Sequence, residues 1–253
     1  MFFSRSHSSA LGLLLAATLT FGCQRGGYQA KPALAPITAQ PVGKTQPEDP
    51  KAAATIEPYK QRVTQQMNEV LGVAPVAITK NAGESPLGNF VADILRARAN
   101  QAVGQPIDIG VMHNGSLRTN LAAGPLTMGS VFELMPFENE VVVLEAPGPV
   151  MQEFFTYAAR MHMAVSNVTY TVGADNKPVD VLIGGKPFDP ARAYTVAISD
   201  YHAGGGDQMT FFKALKPRGT GILMRTAIID HIRSLTKQGK PVEAKVEGRV
   251  KAM

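Results

Sequence analysis

Apolar residues recur along this chain at two spacings, and the spacings separate helices from strands. Leu87, Phe90, Val91, Ile94 and Leu95 fall on one face of a segment 87–99, because positions three and four apart line one side of an α-helix. Ser85-Pro86 supplies the start, with proline in the first turn. Tyr59, Val63, Met67, Val70 and Leu71 predict an earlier helix over 59–71, and a further amphipathic helix is expected over 150–160. Ala227, Ile228, Ile232 and Leu235 form the inner face of a last helix over 224–235, and a short helix is expected over 130–135. Strands are expected at 76–79 after Pro75, at 107–112, 140–145 and 194–199. Segments 168–172 and 179–183 flank the turn cluster Asp175-Asn176-Lys177-Pro178 and read as a hairpin. Helices and strands mix with neither a regular βαβ alternation nor an internal repeat, which places the chain in the α+β class.

The N-terminal part has a different character. Arg5 precedes an apolar run, Ala10 to Phe21, of the length of a secretory signal core and too short for a membrane span. The run ends at Gly22-Cys23, and Cys23 is the single cysteine among 253 residues. This resembles a bacterial lipoprotein signal: residues 1–22 removed, Cys23 lipidated, and the protein anchored to a membrane facing the periplasm or cell surface. Thr20 and Phe21 stand where a leucine and a small residue are usual, and ordinary secretion with an incidental cysteine is the alternative. One cysteine excludes an internal disulfide and a cysteine zinc site. Residues 23–55, rich in Pro, Ala, Gln and Lys without hydrophobic period, read as a tether, and residues 56–253 as the folded domain. The formal charge of +5 contains no run of Lys or Arg interleaved with aromatics, so a nucleic-acid surface is not expected. The mild basic balance suits an anionic ligand.

Candidate chemistry concentrates in Asp200-Tyr201-His202-Ala203-Gly204-Gly205-Gly206-Asp207-Gln208. Glycines that follow a strand permit a tight, exposed loop. Such a loop would present the ring of Tyr201 and the carboxylate of Asp207 to one space, a combination suited to a nucleoside. The plainer reading is a turn. Asp200-Tyr201-His202 also spells the D-x-H of metal sites, read here as coincidence because no companion motif is present.

Three further segments give this loop a context: Glu84-Ser85-Pro86-Leu87-Gly88-Asn89-Phe90-Val91-Ala92-Asp93, His113-Asn114-Gly115-Ser116-Leu117-Arg118, and Met135-Pro136-Phe137-Glu138-Asn139. In order and spacing, the four resemble the C-terminal domain of the 5'-nucleotidases and UDP-sugar hydrolases, over about residues 56 to 251. The resemblance implies a layered α/β/β/α domain that binds the substrate nucleotide. It assigns Phe137 and Tyr201 to the base, although Phe137 beside Pro136 is equally readable as core. It assigns Asp207 to the ribose hydroxyls, Arg118 to the phosphate side, and Gly205 and Gly206 to the loop that approaches the ligand. His113 and Asn114 stand where the family has asparagine and glycine, Gln208 where it has glycine, and Lys80 is the cation nearest a further family arginine.

Enzymes of this family hydrolyse phosphate esters with two metal ions held by a metallophosphoesterase domain, and apart from the Asp200-Tyr201-His202 spelling none of that domain's motif set is found here. The five histidines are His7, His113, His162, His202 and His231. The expectation is therefore a nucleotide-binding half with no catalytic residue and no metal of its own. A separate metallophosphoesterase chain would carry the divalent metals. The alternatives are a membrane-tethered nucleotide-binding lipoprotein without catalysis, and a relative whose pocket no longer binds.

Overall fold

Residues 46–81 and 83–252, with 39 and 43, are described by the computed structural model. The expected signal segment, Cys23 and most of the tether lie outside the described residues. From Pro50 the chain runs α1 (Pro50–Met67), β1 (Val70–Ala74), α2 (Pro86–Val103), β2 (Ile109–Met112), β3 (Gly124–Thr127), α3 (Met128–Leu134), β4 (Glu140–Pro147) and α4 (Gly148–Met161). It continues through β5 (Ala164–Ser166), β6 (Val168–Val172), β7 (Pro178–Ile183), β8 (Lys186–Pro187), β9 (Ala193–Ser199), α5 (Asp200–Ala203), β10 (Arg218–Leu223), α6 (Met224–Lys237) and β11 (Val250–Ala252). This is an α+β protein.

The central sheet has the order β10-β4-β9-β2-β5. β4 pairs antiparallel with β9, from Val141 opposite Ser199 to Pro147 opposite Ala193. β2 lies parallel to β9, and β5 antiparallel to β2. Alternation along these strands sends side chains to two separate cores. Val141, Val143, Met112 and Ala197 pack with Leu87, Val91, Ile94 and Leu95 of α2 and Ala227, Ile228 and Ile232 of α6. Val142, Leu144, Ile109, Val111, Val196 and Ile198 face the other way, onto Met151, Phe154 and Phe155 of α4 and Val168, Tyr170 and Val172 of β6. β6 belongs to a second sheet, β11-β6-β7-β8, and β1 pairs with β3 in a third. Close approach of α2 to β2 depends on Gly110, where a Cβ would stand 2.5 Å from the Ala92 carbonyl oxygen.

Two expected elements differ. The helix placed at 59–71 is instead α1, which spans Pro50–Met67 and buries none of its residues. It therefore begins inside the expected tether, and Tyr59 and Val63 are exposed. Val70 and Leu71 belong to β1, where Leu71 and Ala74 are buried. The apolar spacing merged the exposed stripe of α1 with the first residues of a strand. No strand forms at 76–79: Ile78 makes one isolated bridge to Leu121. Among the described residues no helix is long and apolar enough to cross a membrane.

The motif that opens α2 is architectural. Ser85 caps the helix by accepting from Gly88 N at 3.1 Å. A Cβ on Gly88 would lie 2.7 Å from the Ala164 Cβ, so α2 rests directly on β5. The Glu84 carboxylate accepts from Asn89 Nδ2 (2.7 Å), Glu247 N (2.8 Å) and Val250 N (3.2 Å). Arg249 forks onto both oxygens of Asp93 at 2.9 and 2.7 Å. Glu84 and Asp93 thus dock the C-terminal segment onto α2.

Burial works to raise the Glu84 pKa, but the bonds from Asn89, Glu247 and Val250 outweigh it and hold the group below its ordinary value of 4.5. A carboxylate depressed on folding stabilises the fold above its unfolded pKa and loses that contribution as the pH falls through the folded value. Glu84→Gln should therefore destabilise the protein at neutral pH by about 1–3 kcal/mol, the scale of hydrogen bonds to a charged group. The difference from wild type should shrink below pH 4.5 in denaturant titrations, and a pH-independent difference contradicts this role.

Candidate functional site

β2 and β9 are parallel neighbours, so both end on the same side of the sheet. β4 runs antiparallel to β9 and begins on that side, with Val141 opposite Ser199. Three loops consequently meet there: 113–118 after β2, 135–139 before β4, and 200–208 after β9. The crevice beyond the carboxyl ends of parallel strands is the usual ligand position in open sheets. A cavity of about 690 Å³ opens between the loops, lined by His113, Gly115, Ser116, Arg118, Phe137, Glu138, Asn139, Tyr201 and Asp207.

The first loop is a short turn, Asn114–Ser116, with His113 at its start accepting from Gly115 N through Nδ1 at 3.1 Å. Arg118 is exposed, and its guanidinium lies 5.9 Å from the centre of the Phe137 ring. Asn114 is not in the cavity wall. Its Nδ2 donates to the His162 carbonyl at 2.9 Å, and its Oδ1 is buried without a partner. Lys80 is also committed elsewhere, donating from Nζ to the Leu117 carbonyl.

The second loop is held from behind by Arg225 of α6. This buried guanidinium sits 4.1 Å from the Phe132 ring centre and donates to the carbonyls of Met135 and Phe137 at 3.3 Å and to Glu138 Oε1 at 2.9 Å. The backbone is fixed while the Phe137 ring points outward, 41% exposed, so the core reading of Phe137 does not hold. Asn139 Nδ2 donates to Asp200 Oδ1 at 3.0 Å and ties this loop to the third.

The third loop is more regular than a glycine run suggests. Ser199 caps α5, accepting from His202 N at 3.2 Å and pairing with His202 Nδ1 at 2.7 Å. Gly205 has φ 96°, and a Cβ on Gly206 would meet the Tyr201 ring at 2.4 Å, so the ring folds back over the glycine. Asp207 (φ 49°) and Gln208 (φ 67°) are both left-handed, a conformation that costs a non-glycine residue on the order of 1–3 kcal/mol. The Tyr157 hydroxyl donates to the Asp207 carbonyl at 2.6 Å and helps hold it there. Gln208 keeps the backbone geometry a glycine would adopt. Its side chain faces a different depression, beside Gln152, Tyr157 and Arg160.

The Asp207 carboxylate joins these parts. Its Oδ2 lies 2.9 Å from His202 Nε2 and 3.5 Å from His113 Nδ1, and its Oδ1 accepts from the Tyr201 hydroxyl at 3.3 Å. Burial lowers the pKa of both histidines, more than the attraction of Asp207 raises them. Burial works to raise that of Asp207, but the His202 hydrogen bond and the two imidazoles hold it below 3.8. Neutral imidazoles thus face an ionised carboxylate at neutral pH. Among the described residues, His113, His202 and Asp207 are a group whose donor atoms all lie within 4.8 Å of one another, compact enough for a metal ion.

Of the eight residues singled out from sequence, five (His113, Arg118, Phe137, Tyr201 and Asp207) line the cavity; Gly205 and Gly206 shape the loop beneath Tyr201, and Asn114 faces inward. His202, named only within the Asp200-Tyr201-His202 spelling and set aside there, also reaches this group. Its place three residues after a capping serine, on the first turn of a helix that follows β9, is a further signal that could have found it. A cavity of about 740 Å³ beside α2 and α6 is larger, but Asn89, Asp93, Glu247 and Arg249 in its wall are committed to docking the C-terminal segment.

Residues 63–215 match the family model described as the 5'-nucleotidase, C-terminal domain. The chain belongs to that family. It is 26% identical over 237 residues to the trifunctional nucleotide phosphoesterase protein YfkN of Bacillus subtilis, covering 85% of this chain and 16% of that protein. Over 106 residues it is 35% identical to the silent protein UshA(0) of Salmonella typhimurium, 40% of this chain and 19% of the relative. It superposes on the 5'-nucleotidase precursor from Thermus thermophilus with a TM-score of 0.69 at 26% identity, over 82% of this chain and 44% of that one. The chain therefore spans less than half the length of each of these relatives.

Arg225→Ala removes the donor to two carbonyls behind Phe137. It should lower stability by about 1–3 kcal/mol and speed amide exchange at residues 137–139. Unchanged exchange there contradicts the role of Arg225 in holding the loop.

Proposed function

We propose that this chain is the nucleotide-binding half of a 5'-nucleotidase-type phosphoester hydrolase, completed by a metallophosphoesterase on a partner chain. The observation that carries the reading is the cavity that gathers an aromatic ring from each of two loops, a guanidinium and an anchored carboxylate: Phe137, Tyr201, Arg118 and Asp207. Bases stack on aromatic rings whatever their identity, contributing roughly 1–3 kcal/mol each. Asp207, ionised and acceptor-only, suits the two ribose hydroxyls. Arg118 offers a planar fork of donors for phosphate oxygens.

The donor set of the described residues supports this division of labour. A two-metal phosphoesterase centre needs ligands for a pair of ions about 3.5–4 Å apart. The described residues gather a single three-donor group, His113, His202 and Asp207, which does not fit a pair. This chain captures and orients the nucleotide, and the partner supplies the attacking water. Binding energy from base and ribose, remote from the reacting phosphate, raises turnover by positioning it. We further propose export, with Cys23 as the lipidated anchor; one relative is named the cell wall protein Lmo0130, from Listeria monocytogenes.

The chain alone should bind AMP in calorimetry without hydrolysing it, and metal-dependent hydrolysis should appear when the partner is added. Metal-dependent turnover by the pure chain at partner-level rates would sink the split reading, whereas binding with no partner recovered by pull-down favours a stand-alone nucleotide-binding lipoprotein.

Phe137→Ala should weaken nucleotide binding by roughly 5–150-fold, the equivalent of one stacking contact. The partner's hydrolysis of a small generic phosphate ester should stay unchanged; equal loss on both substrates counts against the assignment. Gly206→Ala should dislodge the Tyr201 ring and weaken binding, and it should have little further effect once Tyr201 is alanine. Additive losses in that double-mutant cycle would show that Gly206 does not act through the ring.

A further inference from the structure

We propose that His113, His202 and Asp207 form a site for one divalent transition-metal ion of the zinc type, on the wall of the cavity. The site shares Asp207 with the nucleotide reading but does not rest on it, since it concerns what these side chains bind by themselves.

The geometry comes first. Zinc lies about 2.0–2.2 Å from nitrogen and carboxylate ligands, which puts the donors of a tetrahedral site about 3.3 Å apart. Asp207 Oδ2 lies 2.9 Å from His202 Nε2 and 3.5 Å from His113 Nδ1, and the donor atoms of all three residues fall within 4.8 Å of one another. Closing on an ion requires only χ adjustments that bring each pair of donors near that spacing.

A metal-binding imidazole usually holds its other nitrogen in a hydrogen bond that fixes ring and tautomer. His202 is buried, and its Nδ1 is 2.7 Å from Ser199 Oγ, so Nε2 is the nitrogen turned to Asp207. Binding would place the proton on Nδ1, with Ser199 Oγ accepting it; the proton that Nε2 shares with Asp207 moves across the ring and none is gained or lost. Asp207 is held in its left-handed backbone by the Tyr157 hydroxyl. His113 is the more adaptable ligand. Its Nδ1 lone pair now accepts from Gly115 N, and Gly115 is exposed, so water can take over that N–H.

Two imidazoles and one carboxylate suit Zn²⁺ and its transition-metal neighbours, whereas Mg²⁺ and Ca²⁺ prefer oxygen. Three protein ligands leave a fourth position, and His113 and Asp207 both line the cavity. An oxygen of a bound molecule or a water would fill it. Asp207 Oδ1, paired with the Tyr201 hydroxyl, is not needed by the ion.

The test uses the untagged full chain, stripped with a chelator and titrated with zinc in a calorimeter. One equivalent of Zn²⁺ should bind, Mg²⁺ should not compete, and Co²⁺ should give the intense visible absorption of a four-coordinate site. His113→Ala and Asp207→Asn should each weaken zinc by tenfold or more, while His162→Ala and His231→Ala leave it unchanged. Ser199→Ala should lower affinity by about tenfold, the scale of losing an orienting partner. His202 is buried and its variants risk misfolding, so the half-buried His113 carries the decision, with circular dichroism confirming the fold. No saturable zinc binding, or binding indifferent to His113→Ala, overturns the site. Zinc binding without AMP binding would sink the nucleotide reading and leave this one standing, and the converse holds.

Discussion

The candidate site depends on the surroundings of one strand: β9 lies between a parallel neighbour, β2, and an antiparallel one, β4. Parallel strands end together, and an antiparallel strand begins where they end. That arrangement alone carries residues 113, 137 and 207, far apart in sequence, to one edge of the sheet. The apolar alternation of β4 and β9 enforces it, because a slip of one residue would exchange the two cores. The Val141–Ser199 register then sets Asn139 against Asp200 and closes the cavity's rim.

Within that frame the site is built by restraint from behind. Arg225 fixes the carbonyls under Phe137, Ser199 fixes His202, and the Tyr157 hydroxyl holds the left-handed Asp207. Phe137 and Asp207 are exposed while their backbones are committed, and His202 is buried behind them. Preorganisation of this kind is what a binding site gains from strained residues whose surroundings over-determine them. It also explains how Gln208 can replace a glycine: the backbone still takes φ 67°, and the side chain leaves on the far side of the loop.

Much of this is legible in the sequence. α2, α4 and α6 and the strands β4 and β9 have periodic apolar faces, and each face meets a core. α1 and β1 merge into one expected helix because Tyr59, Val63 and Met67 have helical spacing without being buried, and the stripe continues into Val70 and Leu71 of the next element. Periodicity reports an apolar face, not what covers it. The cavity-lining residues are legible through motif order. The inward turn of Asn114, the commitment of Lys80 to Leu117 and the entry of His202 are not, since all three depend on which way a side chain leaves a loop. The Glu84–Asp93 motif proves to be architecture: its carboxylates hold the C-terminal segment.

The cavity at the ends of β2 and β9 is proposed to hold a nucleotide. The most direct measurement is a crystal structure of the chain soaked with AMP. The base is expected against Phe137 and Tyr201, the ribose hydroxyls on Asp207 and the phosphate toward Arg118. A nucleotide seated instead beside α2 and α6, or no ordered nucleotide at millimolar concentration, would contradict it.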